Sequence, residues 1–104
     1  MTLSLQLAFP SSSGTFFDHD YCFGKHQEIL RKHMGRHIHS VFVTKGAPGP
    51  AGQPAPFYAV ATLTFTDQSS LDAALEASGP VIADFANFTD ATPVTLFGEI
   101  VIAS

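Results

Sequence analysis

Val94-Thr-Leu-Phe-Gly-Glu-Ile-Val-Ile102 is nearly continuous in apolar side chains and reads as a last β-strand. A strand of that kind is usually covered on both faces. Successive side chains of a strand point to opposite faces, so Val94, Leu96, Ile100 and Ile102 cannot share a direction with Phe97 and Val101. One layer of helices covers only one of the two faces. The other face then calls for a second sheet, and pairing two copies of the chain sheet to sheet is the simplest source of it.

Working back from that strand, Phe57 to Phe65 alternates Phe57, Ala59, Ala61, Leu63 and Phe65 against Tyr58, Val60, Thr62 and Thr64, a period of two. His37 to Lys45 is rich in β-branched and aromatic residues and reads as the strand before it. Gly46 to Pro56 separates the two, and its prolines and glycines forbid either regular element. It reads as a long irregular connection, either a surface excursion or a lid over a pocket. Leu3, Leu5, Leu7 and Phe9 alternate with Ser4, Gln6 and Ala8 in a first strand ending at Pro10.

Between these strands lie two helical stretches. Asp18 is placed to cap a helix running to Met34, with Gly35 as a left-handed stop. Asp67 caps a second helix reaching about Ser78, where Gly79-Pro80 interrupts it and Val81 to Phe85 continues the helical layer. Asn87 to Pro93 is a polar connection. Strand, helix, strand, strand, helix, strand is the α+β, ferredoxin-like split βαβ order, with two helices on one face of a four-stranded antiparallel sheet.

Bulk properties narrow the partners. The 104 residues suit one domain over the whole chain, 1–104. Five Lys and Arg against nine Asp and Glu give a net charge of −4 and leave no basic patch for a phosphate backbone, so nucleic acid is not an expected partner. Cys22 is the single cysteine, which excludes an intrachain disulfide and suits a reducing, cytoplasmic compartment. No apolar run approaches the roughly 18 residues of a membrane span, and the amino terminus has the pattern of a strand rather than of a signal peptide.

Three segments resemble the EthD family: Phe17-Asp-His-Asp-Tyr21 followed by His26, the connection Lys45-Gly46 to Pro56, and Ala83-Asp-Phe-Ala-Asn-Phe-Thr-Asp90. They span most of the chain. The resemblance implies a dimeric α+β barrel, a homodimer formed through the sheet face. It also implies a role beside an oxygenase system, since the family takes its name from a protein linked to ethyl tert-butyl ether degradation alongside a haem-thiolate monooxygenase. The wider barrel group holds cofactor-free monooxygenases, isomerases, dehydratases and haem-degrading enzymes, and fold alone does not choose among them. Without tryptophan, the chain does not match the Asn, Trp and His set of a haem-degrading site.

The candidate chemistry sits on the first helix. Cys22, His26, Ile29 and His33 are spaced as one helical stripe, which turns two histidines inward. His26 is the candidate general base and Tyr21 its companion, placed to steady a developing oxyanion, and both lie at positions matching the family's motif. Their bland alternatives are a hydrogen-bonded core imidazole and a packed aromatic with its hydroxyl at the surface. His33, near the helix end, equally well complements the helix dipole. Phe9, Phe17, His33, Asn87 and Phe88 are the candidate walls of a pocket for an apolar small molecule.

Other residues carry less. Asp18 is explained by capping, and Cys22, among apolar neighbours, behaves as a small hydrophobe. His37 and His39 lie on one face of the expected strand, but two ligands do not make a metal site, and neither a metal nor a cofactor is expected. The glycines of the connection precede no helix and form no phosphate cradle. Two functional readings remain open: an accessory or ligand-binding protein in the oxidative catabolism of an ether or other apolar compound, and a cofactor-independent lyase, isomerase or monooxygenase using His26.

Overall fold

The computed structural model describes residues 2–104. Four strands, β1 (Leu3–Pro10), β2 (Ser40–Lys45), β3 (Phe57–Phe65) and β4 (Val94–Glu99), form one antiparallel sheet in the order β2-β3-β1-β4. The helical layer comprises α1 (His19–Phe23), α2 (Lys25–Met34), α3 (Gln68–Glu76) and α4 (Gly79–Ala83), with 3-10 turns at Gly35–His37 and Asp84–Asn87. This is the ferredoxin-like α+β arrangement that the order of elements predicts. Among the described residues no helix is long and apolar enough to cross a membrane.

The register assigns the faces. Leu5 lies opposite Leu63 and Phe97, and Phe9 lies opposite Ala59, so these positions point the same way, toward the helices. Ser4, Gln6 and Ala8 point to the other face, beside Thr64, Thr62 and Val60 on one side and Gly98, Leu96 and Val94 on the other. Phe42 of β2 joins that outer face opposite Thr62. The outer face is mixed: Gln6 Nε2 donates to Thr62 Oγ1 and the Ser40 and Thr64 hydroxyls bond each other, whereas Phe42, Val94 and Leu96 are about 60% exposed.

Several boundaries differ from the sequence reading. The first helix is broken in two at Gly24, whose φ of −113° and ψ of −88° are not helical. Asp18 caps α1 as expected, its Oδ1 accepting from the Tyr21 amide at 3.1 Å. Gly35 does not take the left-handed conformation: with φ −56° and ψ −35° it continues into a 3-10 turn. That turn takes up Gly35–His37, so β2 begins only at Ser40 and the expected face-sharing of His37 and His39 on a strand does not arise. β4 ends at Glu99, short of Ile102, with Val101 and Ile102 exposed beyond it. Gly79-Pro80 ends one helix and opens another, because proline is tolerated in a first turn where its missing amide has no partner to lose.

The buried side chains form two clusters. One joins Leu3, Leu5 and Phe65 of the sheet to Leu30 and Met34 of α2 and Leu71 of α3. The other joins Phe9, Cys22 and Phe88, with Phe17, Tyr21, Tyr58 and Phe85 packed against it. Gly46 is the tight point of the β2–β3 connection, since a Cβ there would lie 2.0 Å from the Phe57 carbonyl oxygen. Phe65 has no exposed surface. Its replacement by alanine is expected to lower unfolding free energy by about 3–5 kcal/mol, read as a shifted urea midpoint, and a shift below about 1 kcal/mol would contradict the packing described.

Candidate functional site

The site begins with a strap between distant segments. The Asp18 amide donates to the Phe88 carbonyl at 2.7 Å, Thr89 Oγ1 donates to the Phe16 carbonyl at 2.7 Å, and the Phe16 amide donates to Asp90 Oδ1 at 2.9 Å. Phe17 and Thr89 add an isolated β-bridge. These bonds fix the 84–90 segment against the entry to α1. The second 3-10 turn is thereby held alongside the first turn of α2.

Asp84 is buried there and meets three donors. His26 Nδ1 lies 2.8 Å from Oδ2, Tyr21 Oη donates to Oδ1 at 2.7 Å, and Asn87 Nδ2 donates to Oδ1 at 2.8 Å. Burial pushes the Asp84 carboxyl up, but the hydrogen bonds from Asn87, His26 and Tyr21 outweigh it and leave the group below the ordinary carboxylate range. Asp84 is therefore ionised at neutral pH and can only accept. His26 Nδ1 must then be the donor, and in the neutral imidazole the lone pair belongs to Nε2. Among the described residues no hydrogen bond reaches Nε2, and the atom is open to solvent through the cavity rather than sealed in the core. The ring is held by Phe88 and Phe85, at centroid distances of 4.7 and 5.5 Å.

His26 lines a cavity of about 460 Å³ between helices and sheet. Leu5, Phe9 and Leu63 form its floor, and Leu30, Met34 and Val81 part of its roof. No Asp, Glu, Lys or Arg lines it, and its polar side chains are His26, Gln27, Ser78 and Thr95. Ser78 Oγ already donates to the Leu75 carbonyl, and Gln27 Nε2 to the Cys22 carbonyl. Cys22 also lines it, with its thiol pushed up to about 11 by burial and, secondarily, by the Asp84 charge, so it is a protonated thiol rather than a nucleophile.

The residues singled out in the sequence divide on this geometry. His26, Phe9 and Phe88 line the cavity; Tyr21, Phe17, His33 and Asn87 do not. Tyr21 and Asn87 instead hold Asp84, and the hydrogen bond to Asp84, with burial second, raises the Tyr21 hydroxyl so that it stays a donor. Phe17 packs on Phe9 and stacks on Tyr58. His33 sits in the last turn of α2 beside Arg31 and Lys32, because the inward stripe runs through Cys22, His26, Leu30 and Met34 rather than through Ile29 and His33. None of residues 46–56 lines the cavity, so the connection is no lid in this structure; its end is tied back by the Ser11 amide to the Pro56 carbonyl. Asp84, which these side chains converge on, is the residue of the candidate site that the sequence reading missed. It lay inside the segment Ala83–Asp90 but carried no spacing signal of its own.

Among the described residues no three His, Cys, Asp or Glu side chains gather as a metal site. No family model and no curated protein matches the chain. Solved structures do. An EthD-like protein from Ralstonia eutropha superposes with a TM-score of 0.89 at 28% identity, covering 99% of this chain and 95% of that one. An ethyl tert-butyl ether D (EthD) family protein from Bacillus halodurans gives 0.62 at 18% identity, covering 95% and 98%. A dimeric ferredoxin-like protein of unknown function from Jannaschia gives 0.57 at 16% identity, covering 96% and 100%.

Asp84's ionised form is bonded in the folded state, so the stability it contributes is complete above the unfolded carboxylate value near 3.9. It is lost as pH falls through the lower folded value. The melting-temperature gap between wild type and Asp84→Asn should therefore narrow between about pH 5 and pH 2. A gap constant across that range would deny Asp84 its ionised, bonded state.

Proposed function

From the premise that this chain is an EthD-like protein by structure, we propose that it binds an apolar small molecule in the helix-sheet cavity and moves a proton with His26 as general base. The observation that carries this reading is the His26–Asp84 bond of 2.8 Å together with an unpartnered Nε2 on a chamber without charged lining. A buried carboxylate bonded to Nδ1 fixes the tautomer and stabilises the imidazolium that forms when Nε2 takes a proton.

The step that fits is removal of a proton from carbon next to a carbonyl. Nε2 takes the proton, the C–H electron pair moves toward the carbonyl oxygen, and the resulting enolate is protonated or reacts elsewhere. Tyr21 and Asn87 act as positioning residues through Asp84, rather than on the ligand. The second reading, an accessory binder in the oxidative catabolism of an ether or other apolar compound, draws on the apolar lining and on the name of the Bacillus halodurans relative. Homodimerisation through the outer sheet face is part of the proposal, supported by exposed Phe42, Val94 and Leu96 and by the dimeric Jannaschia protein.

Hydrogen–deuterium exchange of a bound ketone at its α-carbon, followed by mass spectrometry, tests the chemistry whatever the final product. His26→Ala should abolish exchange, about a 10²–10⁴-fold loss, and retain ligand affinity. Asp84→Asn should lower exchange while leaving the ligand bound. Equal exchange in wild type and His26→Ala would leave only the binding role. For the assembly, Leu96→Asp should halve the mass seen by light scattering, and an unchanged mass would place any interface elsewhere.

A further inference from the structure

A second recess of about 390 Å³ adjoins the chamber, and the two share Gln27, Val41 and Val43 in their walls. The remaining walls of the recess are Phe23, Arg31 and Lys45. Unlike the chamber, it brings cationic side chains beside Phe23, Val41 and Val43. Two of the chain's five Lys and Arg stand in it, in a protein of net charge −4, and no Asp or Glu lines it. Among the described residues no Asp or Glu oxygen lies within ion-pair distance of Arg31 or Lys45.

Gln27 is the threshold between the two spaces. Its Nε2 donates to the Cys22 carbonyl at 3.0 Å, which pins the side chain where the apolar chamber meets the charged recess. Arg31 lies one turn of α2 beyond Gln27. At about 1.5 Å per residue it is about 7.5 Å farther along the axis than His26. A molecule reaching both would run from His26 toward the carboxyl-terminal end of α2, with its anionic group at that end.

We infer that the ligand is an amphipathic carboxylate, its apolar body in the chamber at His26 and its carboxylate held at the mouth by Arg31 and Lys45. The inference rests on the cavity reading above and adds the charge of the ligand to it. An Arg guanidinium meets a carboxylate with two parallel hydrogen bonds, and Lys adds a mobile point charge. Unpaired cations on the rim of an apolar chamber supply what a neutral hydrocarbon or ether would not use. The same pair rejects organic cations.

The test compares two matched probes, 2-naphthoate and the neutral 2-naphthamide, by isothermal titration of the full chain at neutral pH. Wild type should bind the carboxylate about tenfold more tightly than the amide, the size of a charge-assisted hydrogen bond. Raising salt from about 50 to about 500 mM should erode that preference. Arg31→Gln/Lys45→Gln, altering two exposed side chains, should abolish the preference while amide affinity holds. Equal affinity for the two probes in wild type, or a preference that survives the double substitution, overturns the anionic ligand and leaves the cavity reading standing. Failure of both probes to bind overturns the cavity reading and this inference with it.

Discussion

A carboxylate taken out of water must be given hydrogen bonds in place of those it loses, or it will take up a proton. Asp84 meets that requirement with donors from three places: Tyr21 on α1, His26 on α2 and Asn87 at the end of its own turn. Each of those elements is fixed by the others' need. The strap from Asp18 to Phe88 and from Thr89 to Phe16 brings the turn to the helices, and the break at Gly24 lets Tyr21 and His26 approach the same carboxylate from two helices. An unbroken helix would place residues five apart in fixed rotation, with no freedom to adjust. The orientation of the His26 ring follows from this arrangement and not from the cavity it faces.

Much of the sheet was legible in the chain because a period of two is hard to mistake over eight or nine residues. Leu3 to Phe9 and Phe57 to Phe65 alternate cleanly, and each alternation survives as the division between helix-facing and outer positions. His37–His39 misled because the helix runs on through Gly35–His37 as a 3-10 turn, and extended backbone begins only at Ile38. The carboxyl-terminal run misled in length for a related reason: apolar character marks what needs cover, not where hydrogen bonding stops. Gly24 sat inside a helical pattern with no proline to announce a break. His26 could be read from its spacing to Cys22, but Asp84 could not, since Tyr21 and His26 lie about sixty positions away and only the folded strap joins them to it.

Charge is distributed on the same logic as the hydrogen bonds. The helix-sheet chamber excludes every Asp, Glu, Lys and Arg, while the outer sheet face mixes hydroxyls with Phe42, Val94 and Leu96. The two faces of one sheet thus answer to different demands. The inner face surrounds the His26 imidazole with uncharged side chains. On the outer face, hydrogen-bonding side chains such as Gln6 with Thr62 cross from β1 to β3 between the exposed apolar residues.

The buried side chains form two clusters, with the chamber touching both. Protein interiors gain stability from close contact, and a space of about 460 Å³ forgoes that contact along its whole wall. A molecule that fills the space completes the core as a side chain would, and every copy it occupies is shifted away from unfolding by mass action. Under the binding role proposed above, this would link the abundance of the protein inside a cell to its ligand. Unoccupied copies open more often and are the ones that quality-control proteases reach first, so the pool would contract when the compound is scarce and persist when it is plentiful, without any change in synthesis.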